Sequence, residues 1–485
     1  MELHSRSRSL DKNTGNHQAV ATKQERTPVT RKTMLLAGGG IIAIMAAGFG
    51  GWQLYRGQAL GAVEAGLAQV SKDGIAGNAV AWAGQERSGD TVVLRDITVT
   101  APSGKVLAQA ARGVVRPRVT GRIDVTAGDV SMGAGNGTDR LRVGELQADN
   151  VAIGAVSANG QATNGRAANQ SAGVETWITA LDGASVRATD LTALNGPVNG
   201  TAPRTAGHLD SLDAAMAGGR LTRFVAEGFT AKAPAAATAA NVQDVALDRL
   251  ELAGLDVRRL AALTAAGDAS DIKDVRAAVR SGDLRLSVRG LRVGPAVLDS
   301  GEVTLTPAGT DRFALTGGRV GPQQPRPAVL EGIELVSLVT DSRFNADGWT
   351  GEINTEMKGL GRLRLLGRGR GQAQGDAPLT LQHLVVRLED GGLVARIAST
   401  SGITEQSRPQ WAQMSGSMAK GVLAQAGTVD SSGLDARLAA FLGRGTPLEF
   451  AVETTEPGGI AIPNHRGRSA AAWVPPPGSF RVVAP

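Results

Sequence analysis

The side chains able to do chemistry are few, and their spacing is poor for it. The chain has no Cys, which excludes thiol catalysis, iron–sulfur clusters, disulfide scaffolds and Cys-ligated zinc. Its His residues, His4, His17, His208, His383 and His465, are too scattered for any two to stand at metal-ligand spacing. His383 lies between apolar residues and reads as structural. The alternation Gly367-Arg-Gly369-Arg-Gly371 lacks the G-x-G-x-x-G spacing of a pyrophosphate cradle, and no helical pattern opens after it. It reads as a strand that turns Arg362 and Arg364 to water and ends in a Gly turn. Glu389 and Asp390 are adjacent carboxylates, but neighbours on a strand point to opposite faces and cannot share a proton. No Ser sits in a G-x-S-x-G elbow. The expectation is therefore a protein that is not an enzyme and takes no cofactor and no metal. One binding chemistry remains: Arg362, Arg364, Arg368 and Arg370 are candidate contacts for an anionic lipid head group.

The formal charge of +6 belongs to the first residues. Residues 1–33 carry seven Lys and Arg against three acids, whereas residues 57–485 carry 43 against 42. A nucleic-acid binder needs a basic face that releases counterions, and a near-neutral body removes the reason to expect one.

The basic tail runs into a hydrophobic segment. Thr33–Leu54 holds 22 residues without a charge, about 33 Å of helix at 1.5 Å per residue, enough to cross a hydrocarbon core of about 30 Å. Arg31 and Lys32 close one end, and Trp52, Tyr55 and Arg56 mark the other. The cation excess precedes the span, which places the N-terminus in the cytoplasm and the body across the membrane, in the periplasm of a bacterium. Ala46-Ala47-Gly48 resembles a signal-peptide cleavage site, and Thr30-Arg-Lys-Thr-Met-Leu-Leu36 resembles a twin-arginine signal with Lys for the second Arg. The apolar run continues past Gly48 to the Trp–Tyr–Arg flank, so a retained single-pass anchor is the reading.

After a short amphipathic helix at 60–72, an eight-residue unit recurs: apolar, x, apolar, x, Asp/Gly/Asn, apolar, x, apolar. It stands at 92–99, 125–132, 146–153, 224–231, 250–257, 286–293 and 328–335. Side chains alternate along a strand, so the apolar pairs before and after position 5 fall on opposite faces unless one residue is absorbed there. Asp, Gly and Asn tolerate the left-handed backbone of a bulge or tight bend. Each unit thus predicts one continuous apolar face with the extra residue at position 5. The spacing between units varies, as in a meander of strands, and Gly133–Thr138, Gly160–Gly173 and Asn195–Ala206 read as loops.

The second half adds helices. Val257–Ala266 and Asp271–Arg280 are short candidates. Pro409 opens another, with Trp411, Met414, Met418 and Val422 as its apolar face and Gly427 after its end. Ser432-Gly-Leu-Asp435 resembles a capping box ahead of Leu434, Leu438, Phe441 and Leu442, and Leu448, Phe450 and Val452 alternate as a strand. The chain divides into a basic cytoplasmic tail (1–33), a transmembrane helix (34–55), a periplasmic β region with a short leading helix (56–230), a second β region with short helices (231–455, after the Ala-rich boundary at Ala231–Ala240) and a Pro/Gly-rich extended tail (456–485). The fold class is mainly β with minor α: an N-terminal transmembrane helix, then an elongated, twisted, bulged antiparallel β body with short helices near the C-terminus.

The basic tail, the single span and the long Gly/Ala-rich body with units such as Val92-Val-Leu-Arg-Asp-Ile-Thr-Val99 resemble the AsmA-like bacterial envelope proteins. The stretches Leu379–Gly402 and Leu434–Phe450 are similar in style to that family's C-terminal regions, and the likeness covers most of residues 60–455. The resemblance implies an inner-membrane protein whose β sheet curves into an apolar groove and takes part in lipid traffic or outer-membrane assembly. Membrane and phospholipid, or other envelope proteins, are then the expected partners, with no nucleic acid. On that reading Leu286, Val288, Leu291 and Val293, from one of the cleanest units, form the candidate groove wall. A structural or assembly subunit of an envelope or secretion complex is the alternative.

Overall fold

The computed structural model describes residues 59–73, 78–118, 120–133, 140–152, 178–179, 181–195, 204–234, 242–260, 279, 281–320, 333–371, 379–425, 428–430, 433–461, 478–483 and 485. The segment 33–54, most of Val257–Ala266 and of Asp271–Arg280, and Gly427 lie outside them. No helix among the described residues is long and apolar enough to cross a membrane.

The chain opens with α1 (Ala59–Asp73) and two short strands, β1 (Ala79–Ala81) and β2 (Gly84–Ser88). A run of long strands follows: β3 (Thr91–Thr100), β4 (Val106–Pro117), β5 (Arg122–Gly133), β6 (Arg140–Ala152), β7 (Ser185–Asn195), β8 (Arg204–Ala217), β9 (Arg220–Pro234) and β10 (Val242–Ala253), extended by β11 (Leu255–Asp256). It continues through β12 (Leu284–Val293), β13 (Ala296–Leu305), β14 (Thr310–Val320), β15 (Glu334–Phe344), β16 (Trp349–Lys358), β17 (Gly361–Arg370) and β18 (Thr380–Asp390). Then come α2 (Leu393–Thr400), α3 (Arg408–Gln425), β19 (Val429–Asp430), α4 (Leu434–Arg444), β20 (Leu448–Thr454), β21 (Ile460–Ala461) and β22 (Phe480–Val483).

From β3 to β18 each long strand lies antiparallel to the next one in sequence, β10 pairing directly with β12, so the body is one antiparallel meander. Local hairpin connections make this the simplest topology for such a chain. β1 and β2 share the outer side of β3, and β20, β22 and β19 continue past β18. The Ala-rich stretch does not break the sheet: β9 and β10 on its two sides pair along their length.

The left-handed residues lie where the repeated unit asks for them. Asp96, Asp129, Asn150, Gly228, Gly254 and Gly290, position 5 of six units, all have positive φ, between 51° and 80°; the seventh position, Gly332, is outside the described residues. In the first unit Val92, Leu94, Ile97 and Val99 are all buried, while Arg95 is exposed and Thr98 half-buried. The mechanism differs from a simple bulge, in which one strand carries an extra residue opposite a regular partner. That arrangement occurs at Asn150, where the β5–β6 register shifts by one. Gly254 stands apart, between β10 and β11, and at the other positions both partners pass over a residue at the same level. The β3–β4 ladder skips Asp96 opposite Ala111, β5–β6 skips Asp129 opposite Gly144, and β6–β7 skips Gly144 opposite Asp190. Asp210, Gly228, Asp248, Gly290, Asp299 and Gly317 continue the line through β14. It ends at Val336, where the β15–β16 register shifts one-sidedly. The sheet therefore has a seam running from β3 to β14, and side-chain parity changes there on each strand it crosses, leaving the pairing register intact at those skips.

Candidate functional site

The seam makes one face of the sheet apolar on both of its sides. Following cross-strand partners from Val92 gives Val115, Val125, Ala148, Val186, Ala214, Phe224, Leu252, Leu286, Val303 and Phe313. The row goes on through Thr340, Ile353, Leu365 and Val386 to Phe450. The next row runs from Leu94 through Leu146, Leu212, Leu250, Val288, Leu315, Leu338, Leu363 and Leu388 to Leu448, with Gly, Ala or Thr on the strands between. Across the seam a third row joins Val99 to Met132, Leu141, Val245, Val293 and Ala296. Directly opposed residues share a face. Since Val92, Leu94 and Val99 belong to one buried core, Leu286, Val288 and Val293 lie on one face too. Leu291, opposite Leu298, stands between Val288 and Val293 on the same strand. The four candidate wall residues are thus brought together. Leu286, Val288 and Leu291 are half-buried and Val293 is 37% exposed.

Cover differs along this face. At one end Leu60, Val63, Leu67 and Val70 of α1 join residues of β3–β7 in one buried core, and Val92, Leu94 and Val115 are fully buried. At the other end Val394 of α2 and Phe441 and Leu442 of α4 pack with Leu388, Leu448 and Phe450 of β18 and β20. Between them, from β9 to β17, almost all the row residues are only half-buried, and Ile353 is 37% exposed.

The opposite face is charged and internally neutralised. Arg249 sits between Glu227 and Glu251, Arg292 meets Asp248 at 2.7 Å, and Arg387 meets Glu389 at 2.8 Å. Glu251, with Glu227 behind it, holds the Arg249 guanidinium above its ordinary range. The four candidate head-group arginines are here. They alternate on β17 with Leu363 and Leu365, so they face away from the apolar rows. Arg362 pairs with Glu356 at 3.0 Å and Arg364 with Glu352 at 2.9 Å. Hydrogen bonds from Asn354 and then Arg364 hold the Glu352 carboxyl below the usual carboxylate range. Arg368 and Arg370 are exposed on the same strand. The structure thus separates the arginines from the apolar wall by the thickness of the sheet. Of two shallow depressions, one of about 420 Å³ is lined by residues that include Arg362, Arg364, Arg387 and Glu389, and one of about 580 Å³ by Arg223, Arg249, Arg285 and Arg289 together with Phe224, Leu252, Leu286 and Val303 of the first apolar row.

The near misses acquire structural roles. Gly367 and Gly369 lie inside β17 and make room for Trp349: a Cβ on Gly367 would stand 3.1 Å from the indole, whose Nε1 donates to the Thr380 carbonyl at 3.0 Å. The strand therefore runs on through Gly367 and Gly369 and ends at Arg370, before Gly371 with φ 120°. Glu389 stays in the charged ladder, whereas Asp390 Oδ1 accepts from the Gly392 and Val394 amides and anchors the start of α2, a role its spacing before that helix could have signalled. His383 Nδ1 lies buried 3.5 Å from Glu453. His208, which sequence reasoning passed over, stands between two seam carboxylates, with Nε2 2.9 Å from Asp210 and Nδ1 3.7 Å from Asp190. No group of His, Asp and Glu suited to a metal occurs among the described residues.

One expectation for the C-terminal helices is corrected. The buried face of α3 is Ala412 and Gly416, while Met414, Met418 and Val422 are 56–63% exposed. The reason is close approach: Gly416 lies against the Asp435 carbonyl of α4, a contact with no space for a Cβ. α4 starts after Gly433, which is in the left-handed conformation and has no side-chain cap bond, and Ser432 of the expected capping box lies outside the described residues.

No family model, no curated protein and no solved structure matches this chain.

Proposed function

We propose that this chain is a non-enzymatic envelope protein of AsmA-like kind, held in the bacterial inner membrane by residues 34–55, whose periplasmic β body holds lipid acyl chains on its apolar face. One observation carries the reading: apolar rows run unbroken by any charged residue from the α1-covered end to the helix-covered end, and are left half-exposed between. Apolar surface is worth about 25 cal/mol per Å² when removed from water, so a few hundred Å² hold an acyl chain appreciably. An uncovered patch of that size is otherwise a liability for a protein in water. The arginines of β17 do not join this site, because they face the other way. A second reading, an anchored assembly subunit that binds protein partners, is favoured by the exposed Met414, Met418 and Val422 stripe of α3.

The double substitution Val288→Asp with Leu291→Asp tests the first reading. Protein extracted in mild detergent should carry phospholipid by mass spectrometry, and the variant should lose it while keeping its circular dichroism and protease resistance. Wild-type protein free of lipid would overturn the reading and leave the assembly subunit.

A further inference from the structure

Resting on the lipid reading, we infer that the apolar face is a compartment closed at both ends, loaded from its open side with a fixed complement of acyl chains, and not a track along which lipid passes from one end of the sheet to the other. The rows are continuous in composition but not in accessibility. Under α1 the same two rows that carry Leu286 and Val288 end in Val92 and Leu94, which have no exposed surface. Under α2 and α4 they end in Phe450 and Leu448, packed with Val394 and Phe441. Close-packed side chains leave no room for a chain beneath them. The faces cannot exchange an occupant through the sheet either, because the strands are hydrogen-bonded to each other and the far side is a lattice of ion pairs such as Arg364–Glu352. What remains is a bounded apolar area between two packed ends, and a bounded area takes a bounded load.

Three native tryptophans report on these zones. Trp82 packs against the α1-covered core, Trp411 against the C-terminal core, and Trp349 lies on the open stretch, in register with the apolar residues of β16. Full-length variants retaining one of the three, with the remaining tryptophans changed to Phe, are loaded with phosphatidylcholine brominated on its acyl chains. Trp349 should lose at least about half of its emission, as a site that covers most of its ligand requires, and Trp82 and Trp411 should keep theirs. In parallel, phospholipid bound per wild-type chain should saturate at a fixed number as lipid is added. Quenching of Trp82 or Trp411 as strong as that of Trp349, or binding that never saturates, overturns the closed compartment and leaves lipid binding in place. An unquenched Trp349 in protein that carries no lipid overturns the lipid reading itself.

Discussion

Gly290 and Asp248 show what holds the seam together at the scale of single residues. Gly290 has φ 63°, and the carboxylate of Asp248 on the adjacent strand occupies the place where a side chain at 290 would begin. Gly228 with Asp210 and Gly317 with Asp299 repeat the arrangement. Gly290→Ala should therefore destabilise the protein by about 2 kcal/mol, from left-handed strain plus overlap with the carboxylate. Adding Asp248→Ala should return part of that loss, because only the strain then remains; denaturant titration of the four proteins of the cycle measures the coupling. If the two substitutions simply add, the carboxylate does not enforce glycine. By contrast Asp96→Gly, at φ 51° opposite the small Ala111, should stay within about 0.5 kcal/mol of the parent. The sequence made position 5 legible because parity and residue type pointed the same way. It did not reveal Asp190 or Gly317 as the same device, nor that a carboxylate would face each glycine, since a single strand says nothing of its partner. The charged face adds a pH dependence. Glu352, through Asn354 and Arg364, and Glu453, through Arg481, are held below the ordinary carboxylate range. A depressed carboxyl contributes stability that is complete above its unfolded value, about 4.3, and is lost as pH falls through the folded one. Melting temperature should fall with acidification below about pH 4.5, less steeply in Glu352→Gln and Glu453→Gln than in the parent; equal slopes would show that neither pair is linked to folding.

Elements obey geometry that hydrophobicity alone does not rank. The existence of α3 was readable from Pro409 at its first turn, and α1, α4 and β20 stand where periodicity put them. The face of α3 was not readable, because the helix carries two stripes, Met414–Met418–Val422 and Ala412–Gly416, and the sequence offers no view of α4. The contact with α4 selects the small stripe because it brings the backbones together. Two substitutions separate the stripes. Met418→Lys, on an exposed position, should change stability by no more than about 0.5 kcal/mol, whereas Gly416→Leu should force α3 off Asp435 and cost about 2 kcal/mol or more. Thermal melts decide it, and a larger loss for Met418→Lys would mean that this stripe is covered in solution. The same limit explains the helix-covered ends of the sheet. Units 92–99 and 286–293 share one pattern, yet the four apolar residues of the face are buried in the first and only half-buried or exposed in the second, because burial depends on which element lies over the strand.

For the whole molecule, the apolar face and the anchor belong to one argument. The hydrophobic segment ends at Leu54 and α1 begins at Ala59, so five residue steps, at most about 18 Å of extended chain, separate that segment from the helix that covers one end of the sheet. If that segment is the anchor proposed above, such a tether would keep the covered end of the sheet within reach of the bilayer surface. On the same proposal the cation excess of residues 1–33 would set the sidedness, since a basic segment resists translocation and the near-neutral body carries no competing signal. The absence of Cys makes the arrangement directly measurable, because any introduced thiol is the only one. With Ser5→Cys and Ala346→Cys, a maleimide that does not cross the inner membrane, added to cells with a permeable outer membrane, should label position 346, an exposed turn between β15 and β16. Position 5 should label only after lysis, and both proteins should sediment with membranes. Labelling of position 5 in intact cells would reverse the topology. A soluble protein labelled at 346 would mean that the segment is cut, and the β body would then have to find lipid without a tether.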